Sequence, residues 1–298
     1  MPERDYIIHV YCLIDDLYQE LCKETKIRKC GYEPIMRDSE VLTMLTVGEI
    51  LSLNDDKKIW SYFKANYLAY FPSLANVKSK IFNNQASNLW NISRILHKKL
   101  LTSIGNWDLY LADGIPIKIC HLARAKRSKL FSDNVATHYC AAKDEYYHGF
   151  KLVMLTTANG IPIDYAISAA NIDERELLQQ IDIPYGSTVI ADKGFIGNDF
   201  SSQLKDQHNV SLLTNKRKNM KNQLTQCLAK LITYTRKKIE TVFSQFVDRL
   251  SFNTTKCRSL HGFIGRINRK ILAFTTALFF NFQIVKDQFL QLEFLIQE

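Results

Sequence analysis

Between Trp107 and Thr214 the chain alternates short apolar runs with stretches of helical pattern, and this alternation constrains its fold more than any other feature. WDLYLAD is apolar on both faces except at its ends, the pattern of a central strand. YYHGFKLVMLTT and IPIDYAIS flank Asn159-Gly160, a short-range hairpin signal. DERELLQQI then starts a helix, with Asp173 as its cap and Glu176 able to reach back as a capping-box partner. STVIAD, GNDFSSQLKDQ and VSLLT follow as strand, helix and strand.

The chain on either side reads differently. Residues 1–105 are helical in pattern: in EVLTMLTVGEILSL, Val41, Leu42, Leu45 and Ile50 share a face, with Asp38-Ser39 in front as a cap. From about Gln223 to the end, two long helices are predicted, broken near SFNTTKCRSLHG. Gly105-Asn106 is a plausible junction, giving a helical N-terminal domain over 1–105 and a second domain over 106–298. The predicted fold class is α/β: a mixed β-sheet flanked by helices on the ribonuclease H-like plan, preceded by an all-helical domain.

Two of the apolar runs end on a carboxylate, WDLYLAD on Asp113 and STVIAD on Asp192. An aspartate at the end of a buried strand rarely goes without a partner. Taken singly, each is more often a turn or cap residue. In the predicted sheet, however, the two strands are neighbours. Glu240 lies in TRKKIETVFSQFVDRL, where Ile239, Phe243, Phe246 and Leu250 form a stripe at helical spacing, so this helix packs on the sheet. Glu240 flanks the stripe and can point toward the two aspartates. Three converging carboxylates need a cation, and an all-oxygen set with room for water and phosphate suits Mg²⁺ better than zinc. Two such ions about 3.5–4 Å apart can activate a nucleophile and stabilise a leaving oxygen in phosphoryl transfer. Mn²⁺ can substitute for them. Asp173 is fully explained as a cap, and His121, His138 and His148 have no ligand spacing.

Charge points to the partner. The net charge is +9, yet residues 216–270 alone carry 14 Lys/Arg against two acids, Glu240 and Asp248. A basic block of this density suits a polyanion, nucleic acid first, with a solvated surface as the bland alternative. The candidate DNA contacts are Lys193, Lys216, Arg217, Lys218, Arg236, Lys237, Lys238 and Arg258. Seven cysteines with no CxxC pair argue for reduced thiols in a cytoplasmic protein. No signal peptide is evident. ILAFTTALFFNFQIV falls short of the roughly 20 apolar residues that span a bilayer, so no membrane role is expected.

LADGIPIKIC, YYHGFKL, VIADKGFIG, LLTNKRKNM and RKKIETVFSQF resemble successive blocks of the DDE transposases of bacterial insertion sequences, the insertion-sequence family numbered 982 above all. RDSEVLTMLTVGEIL, YFPSLANVKSKIFNNQASNL and CRSLHGFIGRINRKIL are similar too, so the resemblance covers most of the chain. It implies a catalytic triad of Asp113, Asp192 and Glu240, double-stranded DNA as partner (terminal inverted repeats and target), and a homodimer on that DNA. It implies cutting at element ends and joining of the 3′-hydroxyl to target. Two departures stand out. The related tyrosine–arginine–glutamate–lysine signature finds Thr233 and Val247 at its outer positions, leaving Arg236 as its match. Asn83-Asn84 replaces the basic run of the N-terminal block. The N-terminal helices, around residues 74–100 in particular, are expected to bind the element's end. Two alternatives stay open: a nuclease of the same fold that cuts without joining, and a non-catalytic DNA-binding protein derived from a transposase.

Overall fold

The structure, a computed structural model, describes residues 1–28, 31–105, 107–141, 144–217, 219–220, 223–254, 257–284, 290, 292 and 295–296. It divides into two compact units, residues 1–104 with 245–298, and residues 105–244. The expected division placed all of 106–298 in one domain. The contacts instead group 245–298 with the N-terminal helices.

In the helical unit, α1 (Glu3–Glu24) buries Tyr6, Ile7, Val10, Ile14, Leu17 and Leu21, a stripe at three- and four-residue spacing. Glu3 and Asp5 in its first turn and Lys23 in its last complement the helix dipole. α2 (Asp38–Ile50) is buried nearly all round, as the central helix of a bundle must be. Its Gly48 permits close approach by α3 (Asp56–Asn66), since a Cβ there would sit 2.6 Å from an Ile59 carbon. α4 (Ser79–Asn88) and α5 (Ile92–Ile104) follow. Asp38, expected only as a cap, is buried and accepts hydrogen bonds from Tyr18, Arg28 and Gln85, which ties α1 and α4 to the start of α2. The apolar run near the C-terminus lies in the last helix of this unit, α9 (Leu260–Ile284), where Ile271 to Leu278 are buried. Among the described residues no helix is long and apolar enough to cross a membrane.

The second unit is built on a six-stranded sheet. Its strands are β1 (Leu109–Cys120), β2 (Ala136–Cys140), β3 (Glu145–Thr157), β4 (Pro162–Ala169), β5 (Thr188–Ala191) and β6 (Ser211–Thr214). The order is β2-β3-β1-β5-β6, with β4 also paired to β3. β3 runs antiparallel to β1 and β4, whereas β1, β5 and β6 are mutually parallel. This is the mixed, ribonuclease H-like α/β sheet that the element order predicts. Alternation along β1 sorts its side chains between two layers. Tyr110 and Ala112 join the core under α6 (Glu174–Leu178) and α7 (Asn198–His208), while Leu111 joins Ile190, Ile232 and Ile239 beneath α8 (Gln226–Asp248).

Two expectations need correction. β1 does not stop at Asp113 but continues to Cys120, because β3 pairs with it from Tyr110 onward to the bulge between Lys118 and Cys120. β2 has no counterpart in the predicted elements. Its residues alternate between half-buried and exposed, so no apolar run marks it.

Candidate active site

The parallel pairing of β1 with β5 sets the site. Leu111 lies opposite Ile190 and Ala112 opposite Ala191, so the next residues on the two strands are Asp113 and Asp192. Because side chains alternate, both aspartates follow Leu111 and Ile190 onto the α8 side. Asp192 stands where β5 ends, at the N-terminus of a 3₁₀ turn, Lys193–Phe195.

Arg236 of α8 reaches both carboxylates. Its Nη1 lies 3.0 Å from Asp192 Oδ1 and its Nη2 3.4 Å from Asp113 Oδ2, with the Arg236 side chain only 17% exposed. Two like charges brought to adjacent strand positions repel unless a cation is held between them, and here the guanidinium fills that place. Asp113 also accepts from the Gly114 amide at 2.9 Å. Burial pushes the Asp113 carboxyl above its ordinary range; Arg236 and the Gly114 amide pull it back, and Asp192 adds to the rise.

Glu240 lies one helical turn beyond Arg236 on the same stretch of α8, and is exposed. The structure therefore brings Asp113, Asp192 and Arg236 together and leaves Glu240 on the neighbouring turn. Among the described residues no group of three or more His, Cys, Asp and Glu side chains converges enough to hold a metal ion. The donor chemistry of the two aspartates nevertheless fits a hard divalent cation: both offer carboxylate oxygens at a place already holding positive charge.

Sequence reasoning missed Glu174, which lines the same cleft as Asp113 and Asp192. A Cβ at Gly114 would lie 2.7 Å from Glu174 Oε1, and one at Gly194 would lie 3.0 Å from Oε2. The glycines that closely follow each aspartate thus leave room for this carboxylate. That was the available signal. Burial raises the Glu174 carboxyl, Lys151 opposes the rise, and Asp113, Asp173 and Asp192 add to it. Its neighbour Asp173 is the N-cap of α6, accepting from the Arg175 amide at 2.8 Å, as predicted. The Arg175 guanidinium holds the Asp173 carboxyl down to about 2.

The basic candidates divide. Lys193, Arg217, Lys237 and Lys238 are exposed, and Lys216 is half-buried, all in the sheet unit. Lys218 lies outside the described residues. Arg258 is exposed but belongs to the helical unit.

A ribonuclease H-like sheet with carboxylates at adjoining positions, Asp113 within β1 and Asp192 at the end of β5, defines the class. The family model for the transposase DDE domain matches residues 105–260, over half of the chain, and the chain belongs to that family. The match spans Asp113, Asp192, Arg236 and Glu240. No curated protein and no solved structure matches the chain significantly. The family generally uses divalent metal ions.

Proposed function

We propose that this transposase cuts DNA at the ends of an insertion sequence and joins the freed 3′-end to target DNA. The observation that carries the reading is Arg236 bridging Asp113 and Asp192 at adjoining positions of β1 and β5. Asp113, Asp192 and Glu240 would hold Mg²⁺, two ions in the full complex, with Glu240 swinging in from the turn beyond Arg236. The metal supplies Lewis acidity for in-line displacement at phosphorus. In the first step water attacks the phosphorus, the bond to the 3′-oxygen breaks, and a 3′-hydroxyl and a 5′-phosphate remain. In the second, that 3′-oxygen attacks a target phosphodiester and displaces its 3′-oxygen. Arg236, released from the aspartates, would pair with the charge on the reacting phosphate. Lys193, Lys216, Arg217, Lys237 and Lys238 would neutralise the flanking backbone, and Arg258, in the helical unit, is a separate candidate DNA contact. Two chains acting as a homodimer would pair the terminal repeats of one element.

The test is strand joining. Purified protein with Mg²⁺ and a pre-cut terminal-repeat duplex is expected to join its 3′-end to a plasmid. Continued cutting with no joined product, under conditions where two ends are paired, would establish the cleavage-only nuclease instead.

Metal binding has its own readout. Above the carboxylate range, Mg²⁺ is expected to raise the melting temperature by several degrees, since a ligand at about 100 times its dissociation constant adds about 2.7 kcal/mol. The sign with pH follows from Asp113. A carboxyl raised in the metal-free fold binds its proton more tightly than the unfolded chain does. Its stabilising contribution is present below the ordinary carboxylate value and is lost as pH rises through the raised one. Mg²⁺ must displace that proton, so the gain in melting temperature should shrink as pH falls through the same window. An equal gain in the Asp113→Asn variant would place the metal elsewhere.

A further inference from the structure

The helical unit contains a cavity of about 580 Å³ walled by α4 and α9. Ligand pockets span about 300–1,000 Å³, so this space accommodates a small molecule rather than one or two waters. Arg269, which lines it, belongs to a buried charge network. Its Nε donates to Glu49 Oε1 at 2.6 Å and its Nη1 to Asp56 Oδ1 at 2.9 Å. Lys270 Nζ meets Glu49 Oε2 at 2.5 Å. Arg266 approaches Asp56 at 3.5 Å, and Arg258, exposed, lines the cavity as well. Among these described side chains, four cations stand against two carboxylates. The buried Arg269 and Lys270 are matched by Glu49 and Asp56, so the excess positive charge at the cavity is carried by the exposed Arg258 and the half-buried Arg266.

Two further observations point to an anion. Arg269 is only 5% exposed, and its Nη2 has no hydrogen-bond partner among the described residues. The surrounding groups also register a positive field. Burial pushes the Asp56 carboxyl up, yet Arg269 and Arg266 outweigh it and hold it below its ordinary value. Burial drives the Lys270 ammonium down; Glu49 opposes this, and Arg269 and Arg266 add to the fall. The rest of the lining is not anion-specific. Trp90 presents an indole held edge-on by His261 at 5.3 Å, and Asn83 carries a buried Oδ1 acceptor with no partner among the described residues.

We propose that this cavity binds a nucleotide, its phosphate toward Arg258, Arg266 and Arg269 and its nucleoside toward Trp90 and Asn83. Arginine's planar fork suits phosphate oxygens, an indole suits a base, and the Asn83 oxygen suits an exocyclic amino donor. Membership of a transposase family makes DNA the source of such a nucleotide. The proposal does not rest on the metal site.

The test uses full-length Asp113→Asn protein in a chelator, with deoxyadenosine monophosphate titrated by calorimetry and deoxyadenosine and inorganic phosphate run as separate titrants. Binding of the nucleotide with a dissociation constant below about 1 mM is expected, with each half-molecule at least about tenfold weaker. Arg258→Ala, which removes an exposed cation, and Ser87→Trp, which fills the cavity, should each weaken binding about tenfold while melting curves stay in place. Absence of binding, deoxyadenosine or phosphate binding as tightly as the nucleotide, or indifference to both substitutions would overturn the assignment. Because no metal is present, failure here leaves the catalytic reading standing, and failure of strand joining leaves this one standing.

Discussion

Asparagine at Asp113 or Asp192, or glutamine at Glu240, is expected to lower DNA cutting by about 10³-fold or more while DNA binding persists. Each change keeps the shape of the side chain and removes the charge that a metal requires. Folding should survive. Asp113 is desolvated, with its carboxyl pushed up by burial, so neutral asparagine relieves a cost that the fold bears at neutral pH. In the proposed mechanism the three act as one unit, so a double substitution should cost little more than a single one. Gel assays of strand cleavage in Mg²⁺ and Mn²⁺ measure the effect, and near-wild-type cutting by Asp192→Asn would remove that residue from the site. Glu174 is the control that matters. An inactive Glu174→Gln beside an active Glu240→Gln would move the third carboxylate from α8 to α6, next to Gly114 and Gly194.

The largest effect on stability is expected at Gly149. It pairs with Lys118 at the bulge of β1, and a Cβ there would sit 2.1 Å from the Ile117 carbonyl oxygen. That oxygen is backbone within the central strand pair and cannot step aside as a side chain could. Gly149→Ala should therefore cost at least about 3 kcal/mol, lowering the melting temperature by roughly 10 °C or preventing folding. Gly105 offers the comparison. Its φ is +119°, but nothing lies within 4 Å of an added Cβ, so Gly105→Ala should cost only about 1 kcal/mol. Thermal unfolding followed by circular dichroism separates the two, and equal melting temperatures would contradict the account of Gly149.

Much of this was legible because local pattern and burial coincide. β5 and β6 are short apolar runs, α7 and α8 carry stripes at helical spacing, and the β3–β4 hairpin is marked by Asn159-Gly160. The extent of β1 was less legible. Asp113-Gly114 looks like a strand terminus, and only its pairing with β3 carries the strand on to Cys120. β2 escaped notice because a half-exposed strand needs no apolar run. Within the site, the order of Asp113, Asp192 and a later basic helix was readable, but the side chains that meet were not. Arg236 and Glu240 are one turn apart, and nothing in TRKKIETVF says which of them touches the aspartates.

The sequence by itself determined the alternation of strands and helices, the placement of two aspartates at the ends of two separate apolar runs, and the concentration of positive charge after residue 215. These are properties of spacing and composition, which a chain carries whether folded or not. Only the tertiary structure decided which groups became neighbours. β1 and β5 are separated by three strands and a helix in the chain, yet parallel pairing sets Asp113 and Asp192 side by side, and Arg236 bridges them. Glu174 lines their cleft, against Gly114 and Gly194, only because those two glycines lack side chains. Residues 245–298 join the N-terminal helices because Arg269 and Lys270 bury their charges against Glu49, more than two hundred residues away. A buried charge must find its partner wherever the chain brings one within reach, and sequence distance has no part in that energy.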